Sequence, residues 1–270
     1  MTAERAALLL DDLTAIALDA AAAIRAIPAG EAAHRLKADK SPVTAADEAS
    51  EAAILGGLAR LLPDVPVISE EAYGRAPAAA LPGTFLLVDP LDGTREFIAG
   101  RDDYAVNIAV VSGGVPLAGI IAAPAAGLVW RGAAGRAERL RCDNHGGIIE
   151  RSPIRTRRWP AQDARAVVSR SHLDAATEDY LKQFDVARLA CGSALKFCKV
   201  AEGEADLYPR FGPTSEWDIA AGHAIIAAAG GVMTAADHTP LRYGRIEQRF
   251  RVPGFLAWGD PQRAAAAARC

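Results

Sequence analysis

One stretch limits the possible folds of this chain more than any other, because an apolar run ends abruptly in two carboxylates. Residues 84–88 have the length and composition of a buried β-strand, and Asp89-Pro90-Leu91-Asp92-Gly93-Thr94 follows at once. Pro90 cannot continue a strand ladder, Gly93 allows a tight turn, and Thr94 can begin a helix whose free N–H groups attract an anion. Two carboxylates at such a turn would repel the anion, so the stretch predicts divalent cations between acids and a phosphate. An Asx-turn with an N-cap is the simpler alternative, but it explains only one of the two acids.

The composition excludes several classes of protein. The 270 residues, 51% of them hydrophobic and 23% charged, are typical of one large globular domain or two smaller ones. A net charge of −3 provides no basic surface for a nucleic-acid polymer, so an anionic substrate must be held by local groups or by metal ions. We expect no transmembrane segment and no signal peptide, because no apolar run is long enough and no cleavage pattern is present.

Cysteine usage indicates a reducing compartment. The four cysteines are scattered, without a C-x-x-C pair or a histidine at zinc-ligand spacing. We therefore expect a cytoplasmic location, with or without peripheral attachment to the inner membrane, and no disulfide framework. Cys191 and Cys198 are expected to be buried as small hydrophobic side chains.

Hydrophobic periodicity predicts helices at the beginning of the chain, followed by two sets of strands. The first part should contain helices over 3–27 and 47–62 and strands over 65–68, 84–88, 104–111, 115–123 and 129–132. A polar stretch over 136–160 is the expected boundary region. Beyond it, strands over 166–169, 186–189 and 205–210 should alternate with helices over 175–184, 192–202 and 219–229, which suggests parallel pairing. The predicted fold class is α/β (α+β).

Acidic residues recur where the predicted strands and helices begin or end. Glu70 closely follows the strand over 65–68, and adjacent strand ends could bring it next to Asp89. Asp218 lies at the start of a helix, where an acid is more often a partner of the helix dipole, and the same alternative applies to Asp47. Taken together, Glu70, Asp89, Asp92 and Asp218 offer the hard oxygen ligands that Mg²⁺ prefers.

Two of these motifs resemble the signatures of a known family. Residues 89–94 and Trp217-Asp218-Ile219-Ala220-Ala221-Gly222 are similar to the two signatures of the inositol monophosphatase superfamily of Mg²⁺-dependent, lithium-sensitive phosphatases. Glu70-Glu71 lies at the matching upstream position. The resemblance implies a layered αβαβα sandwich of the inositol monophosphatase / fructose-1,6-bisphosphatase type. An N-terminal α+β domain (1–158) would carry most metal ligands, and a C-terminal α/β domain (159–270) the nucleotide-binding residues.

Within that superfamily, the chain is most similar to the bacterial 3'(2'),5'-bisphosphate nucleotidases. Those enzymes hydrolyse adenosine 3',5'-bisphosphate (PAP) to AMP and phosphate, can act on PAPS to give APS, and are linked to sulfur assimilation. The closer similarity lies in residues 40–47, 95–98, 169–172, 192–203 and 208–214. The chain departs from the subgroup at Ala194, where a second serine is usual, at Val252, which replaces an asparagine, and after Gly231.

The resemblance implies two or three Mg²⁺ ions as cofactors. Glu70, Asp89 and the backbone carbonyl of Leu91 would hold one ion. Asp89, Asp92 and Asp218 would hold a second, so Asp89 would bridge the two.

The resemblance also assigns catalytic and substrate-binding residues. Asp47 and Thr94 match the pair that orients and deprotonates the attacking water, and Glu70 is counted with them as catalytic. His172 is either a nucleoside contact or an exposed loop histidine. The implied substrate-binding residues are Gly93, Thr94, His172, Gly192, Ser193, Lys196, Arg210 and Asp218.

Two other functions remain open at this stage. The first is another phosphatase of the superfamily, acting on inositol 1-phosphate, fructose 1,6-bisphosphate or histidinol phosphate. Lys196 and Arg210 favour a bisphosphate, because a monophosphate has no second phosphate for them to bind. The second is a catalytically silent nucleotide or metal sensor. The expected partner is a small-molecule nucleotide bisphosphate, and the expected state is a monomer or a homodimer.

Overall fold

The computed structural model describes residues 1–29, 34–36, 42–73, 81–170 and 173–269. The helices are α1 (Ala3–Ala7), α2 (Leu10–Arg25), α3 (Ala45–Leu61), α4 (Thr94–Ile98), α5 (Ala175–Leu181), α6 (Leu195–Ala201), α7 (Glu216–Ala229) and α8 (Pro261–Ala267), with a 3₁₀ turn at Ile246–Gln248. The strands are β1 (His34–Leu36), β2 (Pro42–Thr44), β3 (Val67–Ser69), β4 (Thr84–Asp92), β5 (Ala105–Ser112), β6 (Val115–Ala123), β7 (Leu128–Ala133), β8 (Arg136–Cys142), β9 (Ile148–Pro153), β10 (Arg165–Ser169), β11 (Ala187–Cys191), β12 (Leu207–Arg210), β13 (Thr214–Ser215), β14 (Val232–Ala235), β15 (Arg251–Val252) and β16 (Phe255–Trp258).

The first large sheet is a meander with one parallel pair. Its seven strands follow the chain from β3 to β9; β3 and β4 are parallel, and every later pair is antiparallel. The predicted hairpin of β5 and β6 is confirmed, and β7 continues it. Within the predicted boundary region over 136–160, the chain forms two strands that the sequence analysis did not predict, β8 and β9. Polar side chains suit an edge strand, and the cross-strand pair of Arg141 and Glu150 forms an ion pair at 3.0 Å.

The second large sheet is mixed. Its order is β11-β10-β12-β16-β14; β10 is parallel to both β11 and β12, as predicted. The two remaining strands, β14 and β16, come from the segment after Gly231, for which the sequence predicted no strand. They are antiparallel, and β16 lies between β12 and β14. The division of the chain at 158/159 stays a prediction.

Helices cover both sheets and fill the space between them. α2 and α3 bury Leu13 and Ile54 against the outer face of the first sheet. α6 and α7 lie between the two sheets, where Phe197 and Ile225 belong to one core with residues of both. On the far face of the second sheet, α8 and α5 contribute to a smaller cluster around Trp258. The layers therefore run α-β-α-β-α, and the predicted fold class is confirmed.

Two glycines set how closely the central layer packs. A Cβ atom on Gly119 of β6 would overlap the backbone of Ala221, and one on Gly222 would overlap the ring of Phe197. α7 is thereby held directly against β6 on one side and α6 on the other. Within the described ranges, none of the helices has both the length and the apolar character that crossing a membrane requires.

Candidate metal and phosphate site

Three of the predicted acids converge at the ends of β3, β4 and the start of α7. Since β3 and β4 are parallel neighbours, they deliver Glu70 and Asp89 to the same edge of the sheet. The Glu70 N–H donates to the carbonyl of Val88 at 3.1 Å, which keeps the two ends together. Carboxylate oxygens of Glu70, Asp89 and Asp218 lie within 4.8 Å of one another. Such a cluster of oxygen donors suits a divalent cation.

Asp92 lines the same cavity and adds to its negative charge. Desolvation and the nearby charge of Asp218 raise the pKa of the Asp92 carboxyl to about 6, although the charge of Lys196 opposes this shift. A carboxyl whose ionised form is disfavoured by another carboxylate would be stabilised by a cation between them. The electrostatics of these acids therefore fit metal ions.

The turn that carries the acids is fixed by local hydrogen bonds. The register of β4 with β5 shifts between Asp89 and Asp92, where Pro90 interrupts the strand. Ser50 of α3 donates to the Pro90 carbonyl at 2.6 Å, and the Leu91 N–H donates to Asp89 Oδ1 at 3.1 Å. The Leu91 carbonyl oxygen lies 3.1 Å from the Thr94 hydroxyl, whose single hydrogen has Asp47 Oδ1 as its other acceptor.

Gly93 is the N-cap of α4 and needs to be glycine. Its φ is +97°, and a Cβ atom there would lie 3.0 Å from the carbonyl oxygen of Asp103. Thr94 begins the helix directly behind it. Gly93 and Thr94 both line the cavity that contains the acidic cluster.

Asp47 has both of the roles that the sequence left as alternatives for it, a helix cap and a contact with the site. Its Oδ2 accepts from the N–H and hydroxyl of Thr44, both at 2.7 Å, in a capping box for α3. Its Oδ1 accepts the Thr94 hydroxyl at 3.0 Å. Asp47 is only 1% exposed, whereas Thr94 is half-buried and lines the cavity.

The predicted substrate residues of the second half lie around the start of α6. Lys196 is 3% exposed; its Nζ donates to the carbonyl of Ser193 at 2.6 Å and approaches that of Cys191 at 3.5 Å. The ammonium also lies 5.4 Å from the ring centroid of Tyr208. Ser193 has a left-handed backbone, with φ of +44°, and lines the cavity with Lys196.

The turn before α6 is tied to the first half of the chain. The Gly192 N–H donates to the Asp103 carboxylate at 3.3 Å, and Asp103 also pairs with Arg170. Gly192 supports the turn rather than lining the cavity. His172 lies outside the described residues.

Arg210 reaches the cavity from the end of β12. Its guanidinium donates to the carbonyls of Gly212 at 3.2 Å and Pro213 at 3.0 Å. These contacts hold the side chain in place beside the acids, and the negative charge of Asp218 is one of the interactions that raise its pKa.

The cavity itself has a volume of about 810 Å³ and is lined by both halves of the chain. The sequence analysis did not anticipate several of its lining residues. They are Tyr73 after β3, Trp217 in the first turn of α7, Gln248 and Arg249 before β15, and Arg251 at the start of β15. The only signal for the last group was a local excess of arginine between positions 242 and 251.

Comparison with known proteins decides the family. The sequence profile of the inositol monophosphatase family matches residues 9–266. The chain belongs to the inositol monophosphatase family. It is 45% identical over 220 residues to the 3'(2'),5'-bisphosphate nucleotidase CysQ of Escherichia coli K12, covering 81% of this chain and 86% of that protein.

Solved structures of the inositol monophosphatase family share the fold. CysQ from Bacteroides thetaiotaomicron is 34% identical with a TM-score of 0.73, covering 92% of this chain and 96% of its own. An inositol monophosphatase from Anabaena is 28% identical with a TM-score of 0.72, covering 96% of both chains. The family resemblance noted in the sequence is thereby confirmed.

Proposed function

We propose that this chain is a Mg²⁺-dependent 3'(2'),5'-bisphosphate nucleotidase that hydrolyses PAP to AMP and phosphate, with PAPS, giving APS, as a second substrate. The observation that carries the proposal is the convergence of Glu70, Asp89 and Asp218 beside the helix turn at Gly93 and Thr94. The similarity to proteins named CysQ supports the choice of substrate.

The acids would hold the metal ions, with two or three Mg²⁺ as the proposed number. Glu70, Asp89 and the Leu91 carbonyl form one proposed ligand set, and Asp89, Asp92 and Asp218 form the other. When bound there, the metal supplies positive charge that stabilises a phosphoryl group during its transfer.

Thr94 and Asp47 would handle the proton of the attacking water. Of its two neighbouring acceptors, Asp47 Oδ1 at 3.0 Å and the Leu91 carbonyl at 3.1 Å, the Thr94 hydroxyl would donate its one hydrogen to Asp47. This leaves the Thr94 oxygen as an acceptor for a water in the cavity. A proton from that water would pass to Thr94 as the hydroxyl proton passes to Asp47. The capping bonds from Thr44 fix the Asp47 carboxylate in the geometry that a general base needs.

The remaining polar groups would bind the substrate. Backbone N–H groups of Gly93 and Thr94 would donate hydrogen bonds to the oxygens of the cleaved phosphate. The second phosphate is proposed to lie against Ser193, Lys196 and Arg210, with Gly192 supporting the turn before α6. Asp218 is proposed to lie next to the departing oxygen. His172 stays a proposed nucleoside contact.

A second candidate is an inositol monophosphatase, favoured by the 28% identical solved structure of that activity. The test is a phosphate-release panel with Mg²⁺, comparing PAP, PAPS, inositol 1-phosphate, fructose 1,6-bisphosphate and histidinol phosphate at equal concentrations. We expect the fastest release from PAP, inhibition by lithium and loss of activity with EDTA. Faster turnover of inositol 1-phosphate would overturn the substrate assignment, and release that survives EDTA would overturn the metal assignment.

A further inference from the structure

One buried polar side chain beside the acidic cluster has no part in the function described so far. Asn107 lies in the middle of β5 and is 1% exposed. Neither its Oδ1 nor its Nδ2 has a hydrogen-bond partner in the described part of the chain, and both atoms are shielded from solvent. Buried amides are nearly always hydrogen-bonded, because an unpaired polar group carries the full cost of leaving water. An amide kept in this state calls for an explanation other than the stability of the fold.

The strand register places Asn107 directly beside Asp89. The two residues are cross-strand partners of β5 and β4, and the Cβ atoms of such partners lie about 4.5–5.5 Å apart on one face of the sheet. On the other side of Asn107, its partner in β6 is Ile121, whose side chain has no polar atom. Of the two strand neighbours of Asn107, only Asp89 can therefore form a hydrogen bond with the amide.

The face of β5 that carries Asn107 is otherwise apolar. Ala105 and Ala109, two positions before and after it, belong to the core between the two sheets. Since side chains alternate between the faces of a strand, Asn107 lies on that same face. Residues 106 and 108 pack into the core on the opposite face. A small apolar side chain would suit these surroundings at a lower cost, so packing does not account for an asparagine here.

Helix α7 covers this face from the side of the metal site. A Cβ atom on Gly119, in the strand next to β5, would overlap the backbone of Ala221, so the helix lies directly against the sheet. Asp218 is one helical turn before Ala221, and its carboxylate lies within 4.8 Å of that of Asp89. Asn107 is not among the described residues that line the cavity. It therefore lies behind the acids, where it can act on Asp89 but not on a substrate.

We propose that Asn107 is a positioning residue of the metal site, whose amide holds the Asp89 carboxylate in the orientation that binds a divalent cation. The inference rests on the metal dependence of the proposed function and adds a residue outside the two ligand sets. Carboxylates that bind metals are themselves commonly held by hydrogen bonds, and losing such a partner weakens metal binding by about 10–100-fold.

The two groups are chemically matched for this role. Nδ2 of Asn107 offers two N–H donors, and the carboxylate of Asp89 accepts several hydrogen bonds, one of them from the Leu91 N–H at 3.1 Å. The amide and the carboxylate are cross-strand neighbours without a hydrogen bond between them in the structure. A rotation of the Asn107 side chain, or one bridging water, would join them.

The test compares two substitutions of similar shape, Asn107→Val and Asn107→Thr. Calorimetric titration with Mg²⁺ alone, without substrate, measures metal affinity independently of turnover. Asn107→Val should raise the Kd for Mg²⁺ about tenfold or more, because no donor to Asp89 remains. Asn107→Thr should raise it less, because the threonine hydroxyl is still a donor.

Urea unfolding in the absence of Mg²⁺ separates positioning from a structural role. The metal-free Asn107→Val protein should be at least as stable as the wild type, because the substitution removes an unpaired buried amide. Thr234→Val is the matched control: Thr234 Oγ1 is also buried and unpaired, but it lies in β14, outside the described lining of the cavity. This variant should also keep its stability, and its Kd for Mg²⁺ should equal that of the wild type.

Three results would overturn the inference: an unchanged Kd for Mg²⁺ in Asn107→Val, an equal Kd in the valine and threonine variants, or a lower stability of metal-free Asn107→Val. The outcome is distinguishable from that of the proposed function. A wild-type protein that binds Mg²⁺ but does not hydrolyse PAP would contradict the substrate, while the Kd values of the variants would still decide the role of Asn107. A wild-type protein that binds no Mg²⁺ would refute both.

Discussion

Thr94 Oγ1 donates a hydrogen bond to Asp47 Oδ1 at 3.0 Å, joining the first turn of α4 to the first turn of α3. If this pair takes the proton of the attacking water, removing either member should remove the function of both. We predict that Thr94→Val and Asp47→Asn each lower kcat by about 10²–10⁴-fold. The double variant should be hardly slower than the singles, because groups that act as a unit are not additive.

Thr94→Ser is the matched control for this pair, because it keeps the hydroxyl and should retain most of the activity. The Asp47 substitution also touches the capping box of α3, so urea unfolding should be measured alongside, with an expected loss of about 0.5–2 kcal/mol. Multiplicative effects of the two substitutions on kcat would show that Thr94 and Asp47 act independently.

Asp89 is the acid that both proposed ligand sets share. Asp89→Asn should abolish phosphate release and also the increase in Tm that Mg²⁺ gives the wild-type protein, because binding to the folded state alone is stabilising. Thermal unfolding with and without Mg²⁺ measures this independently of turnover. Asp64→Asn, at an exposed acid before β3, is the matched control and should behave as wild type. A Tm increase retained in Asp89→Asn would remove Asp89 from the metal site.

The central features of the fold could be predicted because they rest on local patterns. The apolar run at 84–88 and the Gly113-Gly114 turn specify strands and a hairpin, and the parallel pairing of β3 with β4 explains why Glu70 meets Asp89. β9 was missed because an edge strand with exposed faces has the polar composition of a loop, and β8, which lies between β7 and β9, was missed because four of its seven residues are charged. The antiparallel strands β14 and β16, each four residues long, lie in the segment after Gly231, for which no strand was predicted.

Residues of the site could be predicted from the sequence only where they belong to a recognisable motif. The proximity of Asp218 to Glu70 depends on the packing of α7 against β6, which no local pattern encodes. Arg249 and Arg251 belong to no motif, and their place in the cavity follows from the left-handed backbone of Arg249 and from the buried carboxylate of Glu216 in α7. Arginines on an irregular segment are ordinarily solvent-exposed surface residues, so composition alone could not distinguish these two.

Gly119 should be intolerant of substitution. A methyl group there would overlap the backbone of Ala221, forcing α7 away from β6, so Gly119→Ala should lower the free energy of unfolding by about 1–3 kcal/mol. Because α7 carries Asp218, kcat should fall as well. Urea denaturation and phosphate release check the two effects. Gly83→Ala is the control, since a Cβ atom there meets nothing within 4 Å, and its stability should stay close to wild type. Equal stabilities of the two variants would contradict the close packing.

His223 should make stability depend on pH. Burial lowers the pKa of this imidazole, whose Nδ1 lies 2.9 Å from the Tyr243 hydroxyl, from 6.5 to about 4. Between these values the unfolded chain binds a proton that the folded chain does not, so the contribution of His223 is complete above pH 6.5 and is lost as the pH falls towards 4. The free energy of unfolding falls by at most about 3 kcal/mol through this protonation, and by less in practice because the His223 side chain is only half-buried.

The measurement is the free energy of unfolding by urea at a series of pH values for wild type and His223→Gln. Other acids titrate in the same range, so the informative quantity is the difference between the two proteins. We expect the wild type to lose more stability than His223→Gln as the pH falls from 7 towards 4.5. Parallel curves would mean that the imidazole is protonated in the folded protein as readily as in the unfolded one, and that the Tyr243 contact does not require its neutral form.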